Sequence, residues 1–539
     1  MVDDASVDVQ STDPATRAGA LIERAITRVQ AGEHDSALAD LAEAERVAEA
    51  AGLQEIVTAV RINQGYAFSV EGDGETAARL YGEAAEMARD AGDSVRLPLA
   101  LANMSVELEG LGRHADVVSV VDEYLTLLGE GQAEARVRAL VMRGACRMEL
   151  GDTRGALEDL QEAESVATAA DDAELTYIAL MSLGRAYATD EDLHSAVMLF
   201  DRATMLARQL ESDEHLRDAL LALAEANHAI GHAFMARLQF AEVEKVCRQT
   251  GSPELLAHTL YWSGNTLQAL GKNPDAIQKW SEAAEIRREL GHEGHLADCL
   301  VMMADAYRRR SQHDKADPLF SEATEIYSRL GFGDVVGSTV YWHGMSLWSG
   351  GRPEEALDRA DEALRLAAED GNSEYECRAH GLRAMVLADL DRLEEAAAEL
   401  DIAETRCEES GLPNLVVWML ARRAYLYARQ GKEPDEVVQE LSRAYSYSVE
   451  HDESDAGTSA LKRVSSLILS RCDERYREPV KTLKEALLST PADPYAAEGA
   501  TDIPFAAPAW EPAVEGSPDT PAEAGPPEPD DTPDRDPES

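Results

Sequence analysis

Apolar side chains recur three and four residues apart along most of this chain, in stretches of about eighteen residues separated by short polar turns. Residues 173–190 carry one such stretch, Glu191–Asp192 interrupt it, and residues 193–210 carry the next. That spacing is the period of a helix buried on one side. Aligning the stretches on the small residue in the middle of every second one gives Ala25, Gly65, Ser105, Gly144, Gly184, Ala224, Gly264, Ala304, Gly344, Ala384 and Ala424. The step is 40 residues, with a single step of 39. Internal repetition at such a period means stacked helical pairs, each burying its apolar face against the next.

Other columns follow from the same alignment. Twelve residues after the anchor stands Ala37, Ala77, Val117, Ala156, Ala196, Ala236, Ala276, Ala316, Ala356 or Ala396. Four later comes a large apolar plug, such as Tyr81, Leu160, Phe200, Phe240, Trp280, Phe320 or Leu400, and three beyond that a small residue again. Alternating small and large layers allow close helix crossings at native density. Glycines fall in two further columns, Gly32 to Gly431 after the first helix and Gly52 to Gly411 after the second. Just past a helix end the backbone turns left-handed, which glycine accepts without steric cost. The expected fold is all-α, a right-handed α-solenoid of about eleven helix–turn–helix repeats.

The anchor, the aromatic three residues later (Phe68, Tyr187, Tyr307, Tyr427), the alanine, the plug and the second alanine resemble the signature of the tetratricopeptide repeat superfamily over roughly residues 16–450. The usual unit is about 34 residues, so these are long units. They are similar to those of the Leu-Gly-Asn repeat adaptor, kinesin light chain and bacterial peptide-sensing regulators. The third repeat is degenerate, and the eleventh carries an extra residue near Glu433–Pro434. The expected organisation is a flexible N-terminus (1–15), the solenoid (16–456), a capping helical pair (457–489) and a disordered tail rich in proline and acid (490–539).

Charge narrows the partners. The chain carries a net charge of −52, of which −12 lies in residues 490–539 beside 12 of its 21 prolines. Such a field opposes nucleic acid and anionic membrane and favours basic groups or solubility. That tail composition cannot offset the entropy of ordering. One apolar island, Ile503 to Trp510, interrupts it. The six cysteines lie at least 30 residues apart, with neither a disulfide framework nor a zinc knuckle. With no secretory leader pattern and no membrane-spanning run, the expected location is the cytoplasm.

No phosphate-binding glycine loop, nucleophile elbow or zinc-protease motif occurs. His228 and His232, four apart and expected on one helix, are too few ligands for a metal. Neither a cofactor nor a metal is expected, nor enzymatic activity. The resemblance implies instead that the first helix of each repeat lines a concave groove along which a partner lies. Carried onto this sequence, the groove positions are Tyr261, Trp262, Asn265 and Gln268, then Arg308 and Arg309, then Tyr341, Trp342, Met345 and Trp348, then Arg378 with Met385, and finally Trp418, Arg422, Tyr425 and Arg429. Asn63 and Asn103 mark a secondary zone.

Trp, Tyr and Arg dominate binding energy at interfaces, and arginines exceed acids (Asp298, Asp305, Asp389) on these columns. The expected function is a protein–protein adaptor or scaffold whose guest offers apolar anchors and acidic groups. A ligand-responsive sensor and an accessory subunit of a catalytic complex are the alternatives. The tail residues 500–515 have the same character and are a candidate internal guest.

Overall fold

The structure is a computed structural model describing residues 11–129, 131–451 and 453–488 of the chain. The tail 490–539 and the first ten residues lie outside the described residues. Among the described residues there are 24 α-helices and no strand. None of the helices is long and apolar enough to cross a membrane.

The helices fall into two compact bodies, divided after Val246. The first holds α1 (Pro14–Gln30), α2 (His34–Ala50), α3 (Gln54–Glu71), α4 (Gly74–Ala91), α5 (Arg96–Gly110), α6 (His114–Leu127), α7 (Ala133–Glu149), α8 (Thr153–Ala169), α9 (Ala173–Thr189), α10 (Leu193–Gln209), α11 (Asp213–Ala229) and most of α12 (Ala233–Thr250). The second holds α13 (Pro253–Ala269), α14 (Asn273–Leu290), α15 (Glu293–Arg309), α16 (His313–Leu330), α17 (Gly333–Ser349), α18 (Pro353–Glu369), α19 (Ser373–Asp389), α20 (Leu393–Glu409), α21 (Pro413–Arg429), α22 (Pro434–Glu450), α23 (Ser454–Arg471) and α24 (Arg477–Leu488), with a 3-10 turn at Glu474–Tyr476 before the last. The closing pair therefore starts at Ser454, three residues before the expected boundary, and the first helix starts at Pro14 rather than after residue 15.

Local chemistry sets the helix ends. Asp13, Asp73, Asp152, Asp172 and Asp192 each cap an N-terminus, accepting from the backbone N–H three residues on. The Glu433 and Glu436 pair forms a reciprocal capping box ahead of α22. The first turn column is left-handed in every repeat, even where glycine is missing: Glu191, Ser311 and Asp391 sit at φ of 62°, 56° and 59° there. The repeat geometry thus overrides the side chain's own preference.

In each body the odd-numbered helices, the first of each repeat, also touch one another, as α1 with α3 and α19 with α21. Anchor and plug prove to be direct partners. A methyl group added at Gly65, Gly144, Gly184 or Gly264 would come within 2.8 Å of Tyr81, Leu160, Phe200 or Trp280 respectively. Where the anchor is alanine the plug is no larger than Phe, as at Phe240, Phe320 and Leu400, all buried. For Gly344 the plug column holds Ala360, and the space beside the glycine is taken by Leu382 and Arg359 instead.

His343, beside the anchor Gly344, stacks on the Phe320 ring with centroids 5.8 Å apart and 21° between planes. Burial pushes its imidazole down to about 4, opposed by Asp317 and Glu355 and assisted by Arg359 and Arg352. An unfolded histidine titrates near 6.5. Between these values the unfolded chain binds the proton and the folded chain does not, so stability is full above pH 6.5 and falls toward pH 4 by about 3 kcal/mol. His343→Gln should flatten that part of the thermal midpoint against pH, while carboxylate titration stays common to both proteins. Parallel curves for the two would show that His343 is not the titrating group.

Candidate functional site

The C-terminal body contains a cavity of about 150 Å³ lined by four odd-numbered helices. Tyr341, Trp342, Met345 and Trp348 come from α17, and Arg378 and Met385 from α19. Leu415, Trp418, Met419 and Arg422 come from α21, and Arg463, Val464 and Leu467 from α23. Helical periodicity gathers them: positions 341, 345 and 348 share one face of α17, and 415, 418, 419 and 422 share one face of α21. Three arginines and no carboxylate line the cavity.

The rings are fixed by their neighbours. Tyr341 meets Trp342 edge-on at 5.0 Å and Tyr375 at 6.0 Å. The Arg308 guanidinium lies 5.0 Å over Trp342, Arg463 5.6 Å over Trp418, and Arg471 5.0 Å over Trp348. Tyr341 and Trp342 are only 2% and 3% exposed, so they form the floor, and half-buried Met345, Trp418 and Arg422 form the reachable rim.

The arginines differ in their commitments. Arg378 Nη2 lies 2.7 Å from Glu374. Arg308 and Arg309 both bind the fully buried Asp305, at 2.6 and 2.5 Å. Expected as groove cations, these two instead neutralise an interior carboxylate. Arg429 pairs with Asp389 at 3.2 Å and with Asp391 at 2.7 Å. Arg422 forms no ion pair among the described residues; its Nη1 lies 3.9 Å from the Met419 sulfur.

Asp389 organises one side of the site. It accepts from Trp348 Nε1–H at 2.8 Å, from the Tyr425 hydroxyl, from Arg429 and from Arg471. Tyr425 is fully buried, so this expected groove residue is a structural strut. Burial, then the adjacent Asp389, pushes its hydroxyl well above the usual phenol range. Arg471 joins α23 to α19 through Asp389 and to α17 through the Trp348 ring.

The remaining groove positions lie apart from the cavity. Tyr261 is buried beneath Arg287 at 4.9 Å, and Trp262 packs edge-on to it at 5.7 Å. The Asn265 side chain accepts from Trp280 Nε1 at 3.1 Å, which orients the plug. The Gln268 amide nitrogen is buried without a hydrogen-bond partner among the described residues. Asn63 donates to the Ala59 carbonyl at 2.8 Å within its own helix, and Asn103 is half-buried on α5.

The contribution of α23 lies outside the expected site, because the repeat pattern predicts a cap from residue 457 on. The signal was present: counting the extra residue near Glu433 places Ser465, fully buried, in the anchor column and Arg463 in the column of Trp342 and Arg422.

A family model described as tetratricopeptide repeat matches residues 255–329, and one described as anaphase-promoting complex subunit 5 matches residues 186–269. No curated protein is significantly similar in sequence. Among solved structures, the apo form of RapI aligns with a TM-score of 0.54 at 13% identity, over 66% of this chain and 97% of its own. Aspartyl phosphate phosphatase F from Bacillus subtilis aligns at 0.45 and 13% identity, over 69% and 98%. The apo quorum sensor NprR from B. thuringiensis aligns at 0.43 and 15%, over 64% and 97%. With the anchor, plug and turn columns recurring through both bodies, the chain is an all-α protein of stacked helix–turn–helix repeats, of which residues 255–329 match the tetratricopeptide repeat model.

Proposed function

We propose that this protein is a non-enzymatic interaction scaffold that holds a segment of another protein against the odd-numbered helices of its C-terminal body. Stacked helical repeats characteristically present extended binding surfaces. The observation that carries the reading is Arg422, an arginine without a carboxylate partner among the described residues, on the rim of a cavity of Met, Trp and Leu, in a chain of net charge −52. The cavity takes an apolar anchor, and Arg422, with Arg378 and Arg463 alongside, fixes a carboxylate next to it. A cytoplasmic setting is consistent with the six free cysteines. The tail segment 500–515, outside the described residues, shares the chemistry expected of the guest.

Selection of displayed random peptides on the full chain tests this. Enriched peptides should pair an aromatic or large aliphatic residue with Asp or Glu, and Arg422→Ala should weaken them about ten-fold or more, as expected for a lost charged hydrogen bond. Trp418→Ala should weaken them through the anchor. Both residues are half-buried, so either variant should keep its fold. Enrichment indifferent to both substitutions, or no enrichment, would refute the reading.

A further inference from the structure

We propose that the cavity's resident guest is this chain's own tail, with Phe505 seated in the cavity and Asp502 against Arg422. This rests on the reading of the cavity as a peptide site and adds its regulation.

Size selects the anchor. A cavity of about 150 Å³ is far below the 300 Å³ or more that encloses a drug-sized ligand, and matches an apolar cavity that holds one benzene ring. A single phenyl group fits that volume. Charge selects the segment. Three arginines line the cavity and Arg422 has no ion pair among the described residues, while residues 490–539 carry −12 and a single apolar island.

Spacing puts both features on one side. Pro504 and Pro508 flank Phe505, and a proline-spaced segment bound in polyproline II form repeats every three residues. Asp502 then shares a face with Phe505, about 9 Å away along the chain axis, within reach of a long arginine side chain. The connection suffices. Leu467 lines the cavity, and only the end of α23, a 3-10 turn and α24 separate it from Leu488. At 1.5 Å per helical residue the chain leaves α24 within about 35 Å of the cavity. From Leu488 to Phe505 the chain can span about 56 Å.

Tethering makes a weak contact effective. A tether of this length gives an effective concentration of about 1 mM, so a contact with an intrinsic Kd of about 100 μM would be about nine-tenths occupied and would weaken a competitor about ten-fold.

The experiment titrates a fluorescein-labelled peptide of residues 500–515 with full-length chains and reads anisotropy at low salt. The Phe505→Ala chain should bind the peptide about ten-fold more tightly than the unaltered chain, because its own tail no longer competes. Arg422→Ala in the Phe505→Ala background should weaken that binding about ten-fold. Equal affinity for the unaltered and Phe505→Ala chains, or no saturable binding to the latter, would overturn the proposal. If selected peptides still bind the cavity in either case, the scaffold reading survives and only self-occupancy is lost; if they do not, both fall.

Discussion

Trp280→Ala should be among the most damaging single substitutions in the C-terminal body, costing about 3–5 kcal/mol. The indole is fully buried, its ring fills the space left by the missing side chain of Gly264, and its N–H donates to the Tyr261 carbonyl and to Asn265, both at 3.1 Å. Truncation opens a cavity between α13 and α14 and strands Asn265 as well. Because each repeat is held by its neighbours, the damage should be local. Amide exchange in α13 to α15 should accelerate by about two to four orders of magnitude, the equivalent of that free energy, while α19 to α21 change little. A uniform acceleration across the body would show that it unfolds as one cooperative unit. Filling the cavity from the other side gives a second reading: Gly264→Ala should be rescued in part when Trp280 is Phe, the combination found naturally at Ala224 and Phe240.

This pair also shows what the sequence made legible. The 40-residue register located anchor, alanine and plug, because steric demand at a close helix crossing restricts residue size in every repeat. It located the turns as well, including those where Glu191, Ser311 and Asp391 hold left-handed backbone without glycine. Column position also brought Tyr341, Trp342, Met345, Trp348, Arg378, Trp418 and Arg422 to one cavity. It could not say which arginines remain available. Arg308 and Arg429 stand on groove columns like Arg422, yet their charges are committed to Asp305 and Asp389. Pairing depends on rotamers and on neighbours one or two repeats away, which a periodic pattern does not encode. Arg471 reaches Asp389 from 82 residues further along the chain. The floor residues Tyr341 and Trp342 are misleading in the same way, since a column names a helix face and not how deeply the next helix covers it.

Asp389→Ala should cost about 3–5 kcal/mol, the penalty for stranding a poorly solvated charge partner. Its carboxylate is 12% exposed and receives Trp348, Tyr425, Arg429 and Arg471 from three different helices. Asp389→Asn keeps one oxygen for Trp348 or Tyr425 but removes the charge facing two arginines, so it should fall between the unaltered chain and the alanine variant. The consequence for function is separate from the loss of stability. Arg463, Val464 and Leu467 are cavity walls supplied by α23, and Asp389 is the carboxylate through which Arg471 ties α23 to α19. Loosening that tie should widen the cavity, so that selected peptides lose affinity even at temperatures where the fold persists. A double-mutant cycle with Arg471→Ala separates the two effects. If the tie is what shapes the cavity, Asp389→Ala should cost little further peptide affinity once Arg471 is gone, although the penalty from Trp348, Tyr425 and Arg429 remains in the melting curve. Full additivity in peptide affinity would mean that α23 is held in place by its apolar packing on α21 and α22, with the Asp389 cluster serving the stability of α17 and α21 alone.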